Sequence, residues 1–336
     1  MATVLNMLIS LLPVTVFLVT LIFLDSYKLV RFRILLLAIG AGAAAAVVSY
    51  FLNSAMMDVL RIPFSSYSRY ISPLLEEVLK ALIIFYFFRT CRIGFLVDGA
   101  ILGFATGTGF ALIENIYYLN TATGATLIIW LIRGFGTAIM QGGATALLAI
   151  ITKSLTDRKG KTLGWFWLPG LAAAYCLHSA FNHFFLQPAI QVAAIIVVLP
   201  LVTIPIFVAS EKATRSWLDV GFDSDVELLG LIDSGTITTT KIGKYLLSLK
   251  AKFPGEIIAD MLCLLRLHLE LSISAKGILL MKESGYPAKI EPGISEKFQE
   301  LDYLKNSIGP IGMLAIRPIL HMSSRDLWEL HMLGMK

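Results

Sequence analysis

A chain of 336 residues that is 57% hydrophobic and only 15% charged, with a mean hydropathy of +0.76, excludes an ordinary water-soluble enzyme. It has the composition of a polytopic membrane protein with a soluble remainder. The net charge of +5 is no nucleic-acid footprint, because the basic residues lie mainly in short loops between apolar runs, where they set membrane orientation; no nucleic-acid partner is expected.

Seven apolar stretches approach the roughly 20 residues that a membrane span needs. They are 4–24, 34–54, 71–89, 94–119, 125–152, 163–185 and 188–209. No basic segment precedes the first, while Lys28, Arg31 and Arg33 follow it. That is the pattern of an uncleaved first span with its N-terminus outside. Loops 25–33, 89–92 and 153–161 and the start of the tail (EKATR) are basic, whereas 119–124 and 186–188 carry no charge. The loop at 55–70 is mixed, with Asp58, Arg61 and Arg69. The alternation predicts an all-α, polytopic transmembrane helix bundle of about seven spans, surrounded by lipid, with the tail in the cytoplasm.

Span four carries Gly99, Gly103 and Gly107 at four-residue spacing, which reads as a seam of close helix packing. Asp98, near its cytoplasmic end, is expected to cap the helix or snorkel. From 211 onward charges recur at helical intervals between breakers at Gly235, Pro254, Gly285 and Pro292, with a capping-box variant at Ser323 and Asp326. The run LRLHLELSIS (265–274) alternates as a strand does, but its flanks favour one long helix, and Arg266, His268, Glu270 and Lys276 argue against an eighth span. The chain therefore divides into a transmembrane domain, 1–210, and a soluble helical cytoplasmic domain, 211–336. Cys91, Cys176 and Cys263 show no paired spacing and are expected as free thiols.

Within the spans lie groups that a membrane helix does not need for folding: Glu76, Glu77, Lys80, Glu114, Arg133 and His178. A charge at the bilayer centre costs about 2.5–3.5 kcal/mol even on lenient insertion scales, so the set marks a working site. With the predicted topology, Glu76, Glu77, Glu114, Arg133 and His178 each lie within about two turns of the outer end of their own span, so independent helices agree on one depth in the outer leaflet. Glu76 and Lys80 are one turn apart on one face, with Glu77 a step around. Two adjacent carboxylates in a low-dielectric segment repel each other, which suits one of them to act as general base. Phe110, Glu114 and Tyr118 form one helical stripe, and His178 stacks over Asn182.

Two glutamates and a histidine from three helices, with a position left open for water, form the ligand set of many catalytic zinc sites. In that version zinc is held by Glu77, Glu114 and His178. Without metal, Glu76 or Glu77 activates water while His178 and Asn182 stabilise the oxyanion. Arg133 is either an oxyanion helper or the ion-pair partner of a glutamate, and His183 reads as an interfacial histidine. HExxH and GxGD are both absent, which removes the usual zincin signature and an aspartate dyad, and Ser179 lacks a nucleophile-elbow context.

The segments EEVLK, FALIENIYY and HSAFNH resemble the signature motifs of the PrsW family of intramembrane proteases. That family is distantly related to the type II CAAX prenyl endopeptidases and to a non-catalytic subunit of gamma-secretase. The likeness runs over roughly residues 70–185 in order and spacing. It implies cleavage of a membrane-anchored substrate, such as a single-span anti-sigma factor, on the outer side of a prokaryotic-type cytoplasmic membrane, and carries the family's functional positions to Glu76, Glu77, Glu114 and His178. The long tail departs from compact members. Beside this reading stand two others, a non-catalytic membrane scaffold and a transporter using the buried carboxylates as a proton relay; for a transporter, midplane binding between repeats is the rule, and no repeat is visible.

Overall fold

The computed structural model describes residues 2–27, 29–122, 124–159, 164–286, 292–320, 328 and 332–333. All regular elements among them are helical. In hydrocarbon every backbone N–H and C=O must be satisfied within its own segment, and a helix does this without partners. The chain separates into two compact units, Met1–Glu211 and Lys212–Lys336.

In the first unit α1 (Ala2–Leu24) and α2 (Phe32–Leu60) are followed by a short turn of helix, α3 (Phe64–Ser66), a π-helical stretch (Tyr67–Ile71), and α4 (Ser72–Arg89). Next come α5 (Leu96–Thr121), α6 (Leu127–Leu131), a second π-helical stretch (Ile132–Thr137), α7 (Ala138–Lys159) and α8 (Trp167–His183). Last comes α9 (Pro188–Asp233), which begins with the last apolar run.

Five stretches are long and apolar enough to cross a membrane: Val4–Leu24, Phe32–Leu60, Leu96–Thr121, Leu127–Arg158 and Pro188–Asp233. The two other expected spans are helical but fall short by length and composition. The 18-residue α4 carries Glu76, Glu77, Lys80 and Arg89, and α8 has 17 residues. These two helices supply Glu76, Glu77 and His178, so the residues that make the site are those that dilute the hydropathy.

The core is organised on α5, which is buried without interruption from Val97 to Ala111 and packs against α2 and α7. Small residues make this possible. A Cβ at Gly103 would lie 2.7 Å from the backbone of Thr145 and Ala146, and one at Gly107 would lie 2.3 Å from the Gln141 carbonyl, so both face α7 at backbone contact. Gly42 of α2 and Gly109 of α5 let the α2–α5 pair approach equally closely. At the start of α5, Asp98 Oδ2 accepts from the backbone N–H groups of Gly94 and Phe95 at 2.8 and 2.9 Å; it caps the helix.

The second unit contains the end of α9, α10 (Lys241–Ser248), α11 (Gly255–Glu283) and α12 (Ile294–Ile316). The run 265–274 is helical within α11, its Leu264, Leu265, Leu267, Leu269 and Leu271 buried, and α11 packs against α12. Gly235 and Gly285 stand at positive φ after α9 and α11, and Pro254 caps the start of α11. The polar centre of this unit is Lys276, whose Nζ donates to Asp225 at 2.5 Å and to Ser272 at 3.0 Å. Ser323 and Asp326 lie outside the described residues. The three cysteines are unpaired.

The seam between α5 and α7 generates a test. Gly103→Val forces side-chain atoms into the α7 backbone and should destabilise by about 1–3 kcal/mol, as overpacking does. Gly40→Ala, with nothing within 4 Å of the new Cβ, should be neutral. Thermal unfolding of the two variants in detergent distinguishes them, and equal midpoints would show that the seam is not close-packed.

Candidate active site

The polar groups of the first unit gather around a cavity of about 610 Å³. Its walls include Ser49, Tyr50, Asn53 and Met57 from α2, Ser72 and Glu76 from α4, and Phe110, Glu114 and Tyr118 from α5. Arg133 and Thr137 line it from the second π-helical stretch, Tyr67 and Ser68 from the first, and His178 and Asn182 from α8. Both π-helical stretches among the described residues thus border the cavity. Such insertions re-aim the side chains that follow and are frequent at functional sites.

Glu76 and Glu77, adjacent in sequence, play different geometric parts. Residues one apart on a helix diverge by about 100°. Glu76 lines the cavity, with Oε1 accepting from Ser72 Oγ at 2.7 Å and Oε2 accepting from Gln141 Nε2 at 3.1 Å. Glu77 is fully buried and is absent from the cavity lining. Its Oε1 accepts from Lys80 Nζ at 2.5 Å and meets His178 Nδ1 at 2.8 Å, so Lys80 is the ion partner of Glu77 and not of Glu76. Because a carboxylate oxygen already paired with an ammonium can only accept, His178 Nδ1 is the donor, and the Nε2 lone pair remains. Nε2 lies 3.9 Å from Glu76 Oε2.

Glu114 completes the acidic set. Arg133 Nη2 donates to its Oε1 at 3.0 Å, while Gln141 Nε2 approaches its Oε2 at 3.3 Å. Arg133 is the ion-pair partner of Glu114, held further by a bond from Nε to Asn115 Oδ1 at 3.0 Å and by the face of Tyr118, 3.7 Å from the ring centroid. Asn115 is anchored in turn to the Ser10 carbonyl of α1 at 2.7 Å. Asn182 lines the cavity and donates through Nδ2 to the Ser68 carbonyl at 2.9 Å. Ser179 donates to the Arg69 carbonyl at 2.7 Å, so α8 is pinned twice to the first π-helical stretch. His183 points elsewhere, bonding Ser179 O at 2.7 Å and stacking on Phe185.

The residue at the centre of this network is Gln141 of α7, which is buried. It donates to both Glu76 and Glu114 and accepts from Lys80. It carries no formal charge, so a search of the spans for ionisable groups passes over it. The available signal is a polar amide inside the apolar run AIMQGGATALLAII.

Among the described residues no group of three His, Cys, Asp or Glu side chains is arranged to hold a metal ion as it stands. The donor chemistry nevertheless fits one. Two carboxylates and one imidazole nitrogen face the same cavity, the imidazole is oriented by a carboxylate on its other nitrogen, and the Gln141 amide lies between the two carboxylates.

Apolar helices thus enclose carboxylates, an imidazole and a cavity of about 610 Å³. The sequence profile of the PrsW family intramembrane metalloproteases matches residues 31–210, more than half of the chain. The chain belongs to that family: it is an integral membrane protein and a membrane peptidase. Neither curated proteins nor solved structures give a match.

The Lys80–Glu77 pair is the feature most exposed to perturbation. Lys80→Met strands a buried carboxylate and should destabilise by about 3–5 kcal/mol, the usual effect of removing one partner of a buried pair. Adding Glu77→Gln should recover most of that loss. A double-mutant cycle on thermal unfolding measures the coupling, and additive losses would show the two charges to be independent.

Proposed function

We propose that the chain hydrolyses a peptide bond of a single-span, membrane-anchored protein near the outer face of a prokaryotic-type cytoplasmic membrane. The substrate is of the anti-sigma-factor kind that the motif resemblance implies. One observation carries the reading: Glu76, Glu114 and His178 from three helices line one cavity in a member of an intramembrane metalloprotease family. The topology that goes with it counts α4 and α8 as the third and sixth of seven spans, beside the five apolar stretches. It puts the N-terminus outside and residues 211–336 in the cytoplasm as a soluble domain; the basic loops 25–33, 89–92 and 153–161 support this orientation.

The metal in this reading is zinc, which Glu114 and His178 Nε2 would hold, leaving Glu76 free as the base. Glu77, a zinc ligand by sequence spacing, does not line the cavity and is not kept as one. When bound, zinc supplies Lewis acidity for the scissile carbonyl and for a water molecule. Glu76 receives the proton of the attacking water at its carboxylate and passes it to the leaving amide nitrogen, while Ser72 Oγ and Gln141 Nε2 fix its orientation. Glu77 works through His178, holding a proton on Nδ1 and the lone pair on Nε2. Arg133 neutralises Glu114. Asn182 has one Nδ2 proton beyond its bond to Ser68, available to the scissile carbonyl oxygen. Membership of a protease family sets aside the scaffold and transporter readings.

Cleavage of a labelled single-span peptide by purified protein in vesicles tests this. Glu76→Gln should lower kcat by about 10²–10⁴-fold, the range typical of general-base loss, with insertion and unfolding midpoint unchanged. A chelator should abolish cleavage and added zinc restore it. Glu114→Gln and His178→Ala should each lower zinc content, and Glu77→Gln should weaken zinc binding about 10–100-fold as an outer partner does. Near-wild-type cleavage by Glu76→Gln would sink the base assignment, and chelator-resistant cleavage would sink the metal.

A further inference from the structure

The same cavity has a second set of polar lining groups that the mechanism above does not use. Tyr67 Oη donates to Asn53 Oδ1 at 2.7 Å, and Asn53 Nδ2 donates to Ser49 Oγ at 2.9 Å. All three residues line the cavity, and Tyr67 and Ser49 are each only 2% exposed. Ser49 and Asn53 lie one turn apart on α2, and Val47, Tyr50 and Phe51 beside them also line the cavity.

Hydrogen-bond accounting leaves this ladder with capacity to spare. An amide has two N–H donors and two acceptor lone pairs, and a hydroxyl has one donor and two acceptor sites. Among the described residues, Asn53 uses one of its N–H groups and one acceptor site, Tyr67 uses only its donor, and Ser49 only accepts in this ladder. What remains is two donors, on Asn53 Nδ2 and Ser49 Oγ, and four acceptor sites, one each on Asn53 Oδ1 and Ser49 Oγ and two on Tyr67 Oη. The three residues line the same cavity as Glu76 and Glu114, whose carboxylates are acceptors.

A ligand that matches this pattern carries N–H donors and C=O acceptors together, as an extended peptide backbone does. A membrane-spanning helix has none to offer, since its backbone groups are satisfied internally. A segment that unwinds to present one peptide bond to Glu76 frees several such groups, and each left bare in an apolar setting is costly. We infer that Ser49, Asn53 and Tyr67 form a subsite that binds the unwound backbone of the substrate beside the scissile bond. The inference rests on the peptidase reading of the cavity and adds its substrate requirement: a locally unwound segment, recognised by main chain and not by a particular side chain.

The probe is a synthetic Leu/Ala single-span peptide with a Gly-Gly pair near its outer end, labelled for energy transfer and mixed in vesicles with the full chain carrying Glu76→Gln. Asn53→Leu in that background should raise Kd about tenfold, the loss of one or two hydrogen bonds. Ser49→Ala, which leaves the Tyr67–Asn53 bond intact, should raise it about threefold by the same arithmetic. Replacing single amides of the probe by esters removes N–H donors one at a time. At one or two positions the ester should weaken binding to the unaltered wall and have no further effect with Asn53→Leu. Equal ester losses with and without Asn53, an unchanged Kd for both wall variants, or no binding at all would overturn the subsite. Cleavage of the same peptide by the wild-type chain is scored separately. Binding that depends on the ladder without any cleavage keeps the subsite and sinks hydrolysis; cleavage with ladder-independent binding does the reverse.

Discussion

Lys80 and Glu77 form an ion pair 2.5 Å long with both side chains wholly buried, and the geometry of the site radiates from it. Removing two charges from water is costly, and an apolar pair of similar volume would serve stability as well or better. What the pair supplies is direction. The second donor bond of Lys80 fixes the Gln141 carbonyl, and through the Gln141 amide it sets the separation of Glu76 and Glu114. The second acceptance of Glu77 fixes the His178 ring. Both arms end at the cavity, so one buried pair orients three cavity-lining groups drawn from α4, α5 and α8.

Such a network tolerates little displacement, and the packing of α5 supplies the rigidity. With glycines set against the backbone of α7 and α2, helix separations are fixed by main chain and not by flexible side chains. Gly107 abuts the carbonyl of Gln141 itself, so the seam places the amide that bridges the carboxylates. The bond from Asn115 to the Ser10 carbonyl extends the same restraint to α1. Local packing in the membrane and alignment of the polar groups are therefore one problem, solved on one helix.

The charged members of the site are legible in the sequence because hydrocarbon makes each of them expensive, and expense is visible as a charge inside an apolar run. Glu114, His178 and Arg133 stand out on that ground. Less legible is which of two neighbouring glutamates faces the cavity, since that depends on the rotation of α4, and α4 follows a π-helical stretch whose extra residue per turn no hydropathy pattern announces. Neutral amides and hydroxyls escape for another reason. Gln141, Asn53 and Ser72 carry no charge, so a search for charges inside apolar runs passes over them, and what gives them weight is the partners the fold brings. The span count suffers the same effect in reverse, because the polar residues that mark α4 as functional also remove it from the helices that composition assigns to the membrane. In the tail, period-two alternation at 265–274 competes with helical flanks. The helix also covers Leu264, His268 and Ser272, which lie out of phase with the alternating leucines and which a one-sided strand pattern leaves on the other face.

The charge balance of the cavity bears on its chemistry. Glu76, Glu77 and Glu114 contribute three negative charges, and Lys80 and Arg133 contribute two positive ones, each already committed: Lys80 to Glu77, Arg133 to Glu114. The excess negative charge falls on Glu76, whose contacts are a serine hydroxyl, an amide and, at 3.9 Å, an imidazole nitrogen. A low-dielectric site does not hold an unbalanced charge cheaply. Glu76 is therefore the carboxylate that no cationic side chain is committed to. Lys80 and Arg133 cannot relieve it without abandoning their own partners, so the site keeps its demand for positive charge facing the cavity, where a substrate and its attacking water arrive.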